Sequence, residues 1–168
     1  MDRHTFEEEI RKITKLLYHI SWSMLSDNED CADAVQEALM KAWQTRSALR
    51  KRSAFKAWMA QIQYNVCRDM VRKRQKQAYV PLAPEHAAAM TTSMSELSFG
   101  ELLQQLSPDH RAVVILHYLE GYRVEEIADM TECPVGTVKT RLMHARAHLK
   151  KTLGSDVDVT GGVSYERQ

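Results

Sequence analysis

Apolar residues recur along most of this chain at helical spacing. Phe6, Ile10, Ile13, Leu17, Ile20 and Met24 step by four and three in alternation, which predicts an amphipathic helix of about six turns. Glu7, Glu8 and Glu9 lie in its first turns, where the helix dipole favours negative charge. The cluster Ser26-Asp27-Asn28 predicts a turn and a new helix start. The next helix runs to about Trp43, with Val35, Leu39 and Trp43 on its buried side. A third starts near Ser53, an N-cap residue type, and runs to about Lys76, with Phe55, Trp58, Ile62, Val66 and Met70 as its apolar stripe.

The periodicity lapses over residues 78–96, where two prolines and many small residues predict a linker. It resumes in a short helical segment over residues 97–106. Ser107-Pro108-Asp109 then reads as a helix start with proline at its first position. Val113, Val114, Leu116 and Tyr118 predict a buried helix, which Gly121 closes as a C-cap. Val124, Ile127 and Ala128 share one face of a further helix. Thr131-Glu132-Cys133-Pro134 breaks it, and Val138, Leu142, Ala145 and Leu149 resume at helical spacing. On that last helix Thr140, Met143, His144 and Ala147 point away from the stripe, with Lys139, Arg141, Arg146 and His148 on its flanks. Two short helices joined by a tight turn, the second presenting cations, fit a DNA-reading helix-turn-helix. After Leu153 no period remains, and residues 154–168 are expected to form a mobile tail. The whole predicts an all-α fold of two small helical domains, residues 1–77 and 97–153, joined by a flexible linker.

The net charge of the 168 residues is only +1, so its distribution carries the information. Residues 1–40 have a net charge of −5, residues 41–80 of +10, residues 81–130 of −6 and residues 131–168 of +2. Two basic blocks between acidic ones imply two contacts with a polyanion and other surfaces facing a different partner. In the first block, Arg46, Arg50, Lys51 and Arg52 lie in a loop, and Asn65, Arg68, Arg72, Lys73 and Arg74 follow on the third helix beside Tyr64. Arginine and lysine hold phosphates, while asparagine can read a base edge. Asp33, Gln36 and Glu37 fall at i, i+3 and i+4 and form an anionic and amide ridge. Extended, the 19 residues of the linker would span roughly 60 Å, more than the roughly 34 Å of one duplex turn.

Cys31, Cys67 and Cys133 show neither ligand nor disulfide-framework spacing, so reduced thiols and no metal are expected. The acidic start is no signal peptide, and no apolar run is long enough to span a bilayer. A cytoplasmic protein without membrane insertion, cofactor or small-molecule substrate is expected. None of the seven histidines is placed in a set that suggests catalysis, so a non-enzymatic role is expected. From the residues alone, a free-standing helix-turn-helix regulator accounts equally well for residues 107–151, but it leaves the ridge and the basic third helix without a task.

Taken in order, these residues resemble the extracytoplasmic-function (ECF) group of the bacterial sigma-70 family. The resemblance covers about residues 5–153. It rests on D-x-x-Q-E at Asp33 to Glu37, the series Trp58, Ile62, Asn65, Asp69 and Arg72, and L-S-P-D-H-R from Leu106. G-Y-x-x-E-E-I-A at Gly121 to Ala128 and C-P-V-G-T-V-K-T-R-L at Cys133 to Leu142 complete it. It implies that the chain binds core RNA polymerase and directs it to promoter DNA, helping to open the duplex. Asp33, Gln36 and Glu37 would dock on the β′ clamp helices, with a further contact to the β flap. The loop Arg46 to Arg52, with Asn65, Arg68, Arg72, Lys73 and Arg74, would hold the −10 element. Lys139, Thr140, Arg141, Met143, His144 and Arg146 would lie in the −35 major groove. By the same resemblance, an anti-sigma factor would hold the chain inactive. His144 stands where many relatives carry arginine, and Gln63 where they usually carry alanine.

Overall fold

The computed structural model describes residues 1–77 and 99–153, and all of its regular elements are helical. The expected linker and tail lie outside the described residues. Helix α1 spans Arg3–Leu25, with the Asp2 carboxylate accepting the Thr5 N–H at 2.8 Å as its N-cap. It ends at Ser26, which adopts a left-handed conformation at φ 59°. Asp27 then caps α2 (Asn28–Thr45) by accepting from the Asp30 N–H at 3.0 Å. These are the turn and cap that the Ser-Asp-Asn cluster predicts, for the reason given: short polar side chains satisfy the orphan N–H groups of a helix start. Two 3₁₀ turns, Arg46–Ala48 and Arg52–Ala54, carry the chain into α3 (Phe55–Gln77).

Three aromatic residues from three helices form the middle of this half. Phe6 packs edge-on against Trp43 (centroids 5.3 Å apart) and Phe55 (5.6 Å), and Trp58 lies 5.9 Å from Phe55. Pairs of this kind contribute about 0.5–1.5 kcal/mol each beyond area burial. The deepest face of α2 differs from expectation. Cys31, Ala34, Ala38 and Ala42 are fully buried, whereas Val35, Leu39 and Trp43 pack at its edges. Helix α2 wedges against both α1 and α3, and small side chains let three helix axes approach closely, pushing the larger ones to the rim. Gln63 is 0% exposed, its amide donating to the Ser21 hydroxyl of α1 at 2.8 Å. The glutamine in place of the family's usual alanine is therefore an interhelical pairing.

In the second half, α4 (Phe99–Gln104) leads to α5 (Pro108–Val114), with Ser107 as N-cap and Pro108 at the first turn as expected. A π turn over Ile115–Leu119 follows. Its extra residue per turn shifts the helix phase. Tyr118, expected in the core, is consequently 46% exposed, and Tyr122 is buried beyond the turn. Gly121 closes the segment at φ +71°, a conformation that favours glycine. Helices α6 (Val124–Thr131) and α7 (Val135–Leu153) are the two arms of the helix-turn-helix. Glu132, left-handed at φ 52°, makes the turn between them, and Val138, Leu142, Ala145 and Leu149 are all buried as the spacing requires.

The halves do not stand apart. Helix α5 packs on α1, and α6 packs along α3. No helix among the described residues is long and apolar enough to cross a membrane. All three cysteines are free, Cys31 and Cys67 buried and Cys133 half-buried. Burial, with Cys67 close by, raises the Cys31 thiol to about 11, so it stays protonated.

Candidate nucleic-acid interface

Helical spacing brings the anionic ridge together as a surface. Asp33, Gln36 and Glu37 line a shallow groove of about 400 Å³ on α2 with Met40, Lys41 and Gln44. Met40 is 64% exposed there, an apolar side chain among polar ones. Glu37 pairs with Lys41 one turn on at 2.7 Å, so part of its charge is spent within the helix, while Asp33 and Gln36 point freely to solvent.

The cations of the first basic block divide into free and engaged groups. Arg50, Lys51, Arg72 and Lys73 are exposed and form no ion pair among the described residues. Arg46 stacks on Trp43 at 4.0 Å and donates to its carbonyl at 2.5 Å, so it caps the end of α2. Arg52 holds Glu9 of α1 at 2.7 Å, and Arg74 holds Asp30 of α2. The Glu9 carboxyl is lowered by hydrogen bonds from Lys12 first and Arg52 second. Arg68 approaches Glu132 at 3.6 Å. Asp69 is exposed, and no arginine pairs with it among the described residues.

On α7, Lys139, Thr140, Met143, His144 and Arg146 are exposed along the outward face, as their spacing predicts. The Thr140 hydroxyl donates back to the Gly136 carbonyl at 2.9 Å, leaving its lone pairs outward. Arg146 reaches the Tyr118 hydroxyl at 3.5 Å. The His144 ring lies 6.1 Å from that of His110. Burial foremost, and then the nearby charges of His144 and Arg141, hold the His110 imidazole below its usual range. Arg141 departs from the outward set. It is half-buried and turned toward Asp109, with Nη2 at 2.9 Å from the carboxylate.

Periodicity does not point to Tyr64, Asp109, Arg111, Glu132 or the pair His19–Glu120. Each works through a partner far along the chain. The Tyr64 hydroxyl donates to Asp109 at 2.9 Å across 45 residues, and His19 pairs with Glu120 across 101. Burial and the adjacent Asp109 carboxylate raise the Tyr64 phenol, keeping it a donor. The motif L-S-P-D-H-R was the one available signal for Asp109 and Arg111. Among the described residues, no group of histidine, cysteine, aspartate or glutamate side chains is arranged to hold a metal ion.

The halves coincide with two known sequence families. Residues 10–77 match Sigma-70 region 2, and residues 96–149 match Sigma-70, region 4. The chain is 30% identical over 134 residues to the ECF RNA polymerase sigma-E factor of Escherichia coli (strain K12), covering 70% of each protein. It is 29% identical over 155 residues to the ECF RNA polymerase sigma factor SigM of Mycobacterium tuberculosis (strain ATCC 25618 / H37Rv), covering 91% of this chain and 79% of that protein. Among solved structures, the sigma factor RpoE from Bartonella quintana, in complex with the anti-sigma factor NepR, superposes with a TM-score of 0.72. It is 29% identical, and the match covers 90% of this chain and 98% of that one. CnrH, solved with the cytosolic domain of CnrY, shares the fold at a TM-score of 0.67 and 23% identity, covering 93% and 92% of the two chains.

Proposed function

The chain belongs to the ECF group of the sigma-70 family, factors that direct core RNA polymerase to promoters at the start of transcription, and on that premise we propose how its surfaces divide the work. The groove on α2 grips the polymerase: Asp33, Gln36 and Glu37 meet basic groups of the β′ clamp helices, with exposed Met40 as an apolar anchor. Residues 1–77 also hold the −10 element. Arg50, Lys51, Arg72 and Lys73 take phosphates, and Asn65 and Arg68 turn to the DNA once the face of α3 is free. Arg46, Arg52 and Arg74 shape this surface through Trp43, Glu9 and Asp30 and contact phosphates from its rim. Residues 97–153 bind the −35 element through α7, with Lys139 and Arg146 on phosphates and Thr140, Met143 and His144 toward base edges. Arg141 joins them when it leaves Asp109, and the same half meets the β flap. By analogy with RpoE and NepR, an anti-sigma factor is the partner that holds the chain in check.

One observation supports this reading above the rest: a single chain carries an exposed anionic groove and two separate cationic helix faces. A DNA regulator acting alone has no use for the groove. The test is transcription in a purified system, in which core polymerase plus this chain should start transcripts at discrete sites preceded by shared −35 and −10 sequences. Starts no different from those of core polymerase alone would refute it.

The phosphate role of Lys139 carries its own expectation. Lys139→Ala should weaken promoter binding evenly across −35 variants and reduce the salt slope of log K by about one. Titrations at several salt concentrations measure this, and an effect restricted to one base position would reassign Lys139 to base reading.

A further inference from the structure

The seam between the two halves is built from the surfaces meant for DNA. Asp109 accepts the Tyr64 hydroxyl through Oδ1 and the Arg141 guanidinium through Oδ2, both at 2.9 Å. Tyr64 is 2% exposed under this contact. One turn of the helix-turn-helix away, Glu132 accepts the Gln61 amide at 2.8 Å and faces Arg68 at 3.6 Å. Two carboxylates of the second half thus occupy one arginine from each of the sets assigned above to the −10 and −35 elements. A carboxylate offers arginine the same planar, two-oxygen acceptor that a phosphate does.

The seam is incompletely satisfied. Asn65 Oδ1 and Arg68 Nε are buried without a hydrogen-bond partner, although buried polar groups are nearly always paired. A cleft of about 390 Å³ remains between the halves, lined by Tyr64, Arg68, Arg72, Asp109, Glu132 and Arg141 among others. A permanent core interface would close such a cleft and pair such atoms; nucleic acid would pair them too. The α2 groove lies away from the seam and stays open while the halves are shut.

We propose that the unbound chain masks itself: Asp109 and Glu132 stand in for DNA phosphate, clasp Arg141 and Arg68 in a closed form, and release both promoter surfaces together. This rests on the division of surfaces proposed above and adds a regulatory contact within the chain itself. Because the clasp holds the −10 and −35 faces at once, opening either frees the other. Docking of core polymerase on the accessible groove can therefore precede release.

The test uses the full chain without polymerase, comparing wild type with Asp109→Asn/Glu132→Gln. Both changes keep side-chain size and remove the charge. The double variant should show a larger radius of gyration in solution scattering. It should also bind a duplex carrying the −35 element about tenfold tighter by fluorescence anisotropy, because the competent fraction no longer has to be drawn from a closed population. A merely destabilised chain would bind more weakly. Unchanged scattering, or expansion without tighter binding, overturns the proposal. Should the double variant lose helix by circular dichroism, the wild-type chain supplies the answer: it should expand between roughly 0.05 and roughly 0.5 M salt as the ion pairs are screened, and constant dimensions overturn the clasp. Failure of directed transcription would instead strike the functional assignment, leaving the scattering result intact.

Discussion

Core RNA polymerase mixed with the Glu37→Lys chain is expected to elute without it, whereas the wild-type chain elutes in complex. Glu37 contributes little to its own domain. Its pair with Lys41 is an exposed i, i+4 contact, and such pairs stabilise a helix by about 0.2–0.5 kcal/mol. Reversing the charge sets a second ammonium beside Lys41, a penalty of similar size that the fold tolerates. Against a basic partner surface the change is far larger. A favourable charge contact becomes a like-charge one in a partly desolvated interface, which costs about 2–5 kcal/mol, or roughly thirtyfold and upward in affinity. Thermal melting should move by no more than a degree or two, separating lost docking from lost folding. Retention of the variant on polymerase at wild-type levels would remove the α2 groove from the interface.

The largest effect on stability is expected at Arg111. This arginine is buried, and its guanidinium reaches three carbonyls at the end of α4: Leu103 at 2.8 Å, Leu106 at 3.0 Å and Gln104 at 3.2 Å. It also donates to the Ser26 hydroxyl at the end of α1 and faces the Trp22 ring at 5.9 Å. The last carbonyls of a helix have no partner within it, so Arg111 serves as a C-cap supplied from α5. Burial lowers its pKa, yet the guanidinium remains protonated at neutral pH. Arg111→Ala strands buried acceptors at about 1–3 kcal/mol each. A loss of about 3–5 kcal/mol follows, lowering the melting temperature by roughly 10 °C at about 2–4 °C per kcal/mol. Arg111→Lys should recover less than half, since an ammonium on a flexible stem cannot fork across three carbonyls. A melting temperature within about 2 °C of wild type for Arg111→Ala would show that water or rearrangement satisfies these groups.

The arginine sits in L-S-P-D-H-R, and the contrast within that motif shows what can be read from a chain. Ser107 and Pro108 act on the backbone two or three residues away, so their roles as cap and first-turn proline follow from chemistry alone. Asp109 and Arg111 act on groups 32, 45 and 85 residues away, and nothing in local spacing announces those partners. The outward face of α7 was legible because one apolar stripe dictates the opposite face. Arg141, on the boundary of that stripe, could turn either way, and a carboxylate from α5 turned it inward.

The amino-acid order by itself determined the helical class, most helix limits, the caps at Ser26-Asp27 and Ser107-Pro108, the stop at Gly121 and the buried stripe of α7. All of these rest on forces that act within about one turn of helix: hydrogen-bond completion at helix ends and the 3.6-residue repeat. The tertiary structure decided which α2 face lies deepest, that the π turn exposes Tyr118, that Tyr64 is buried, and which arginines remain available to DNA. Those outcomes depend on how closely neighbouring helices approach and on which carboxylate arrives opposite a given cation, and both are set only when distant segments meet.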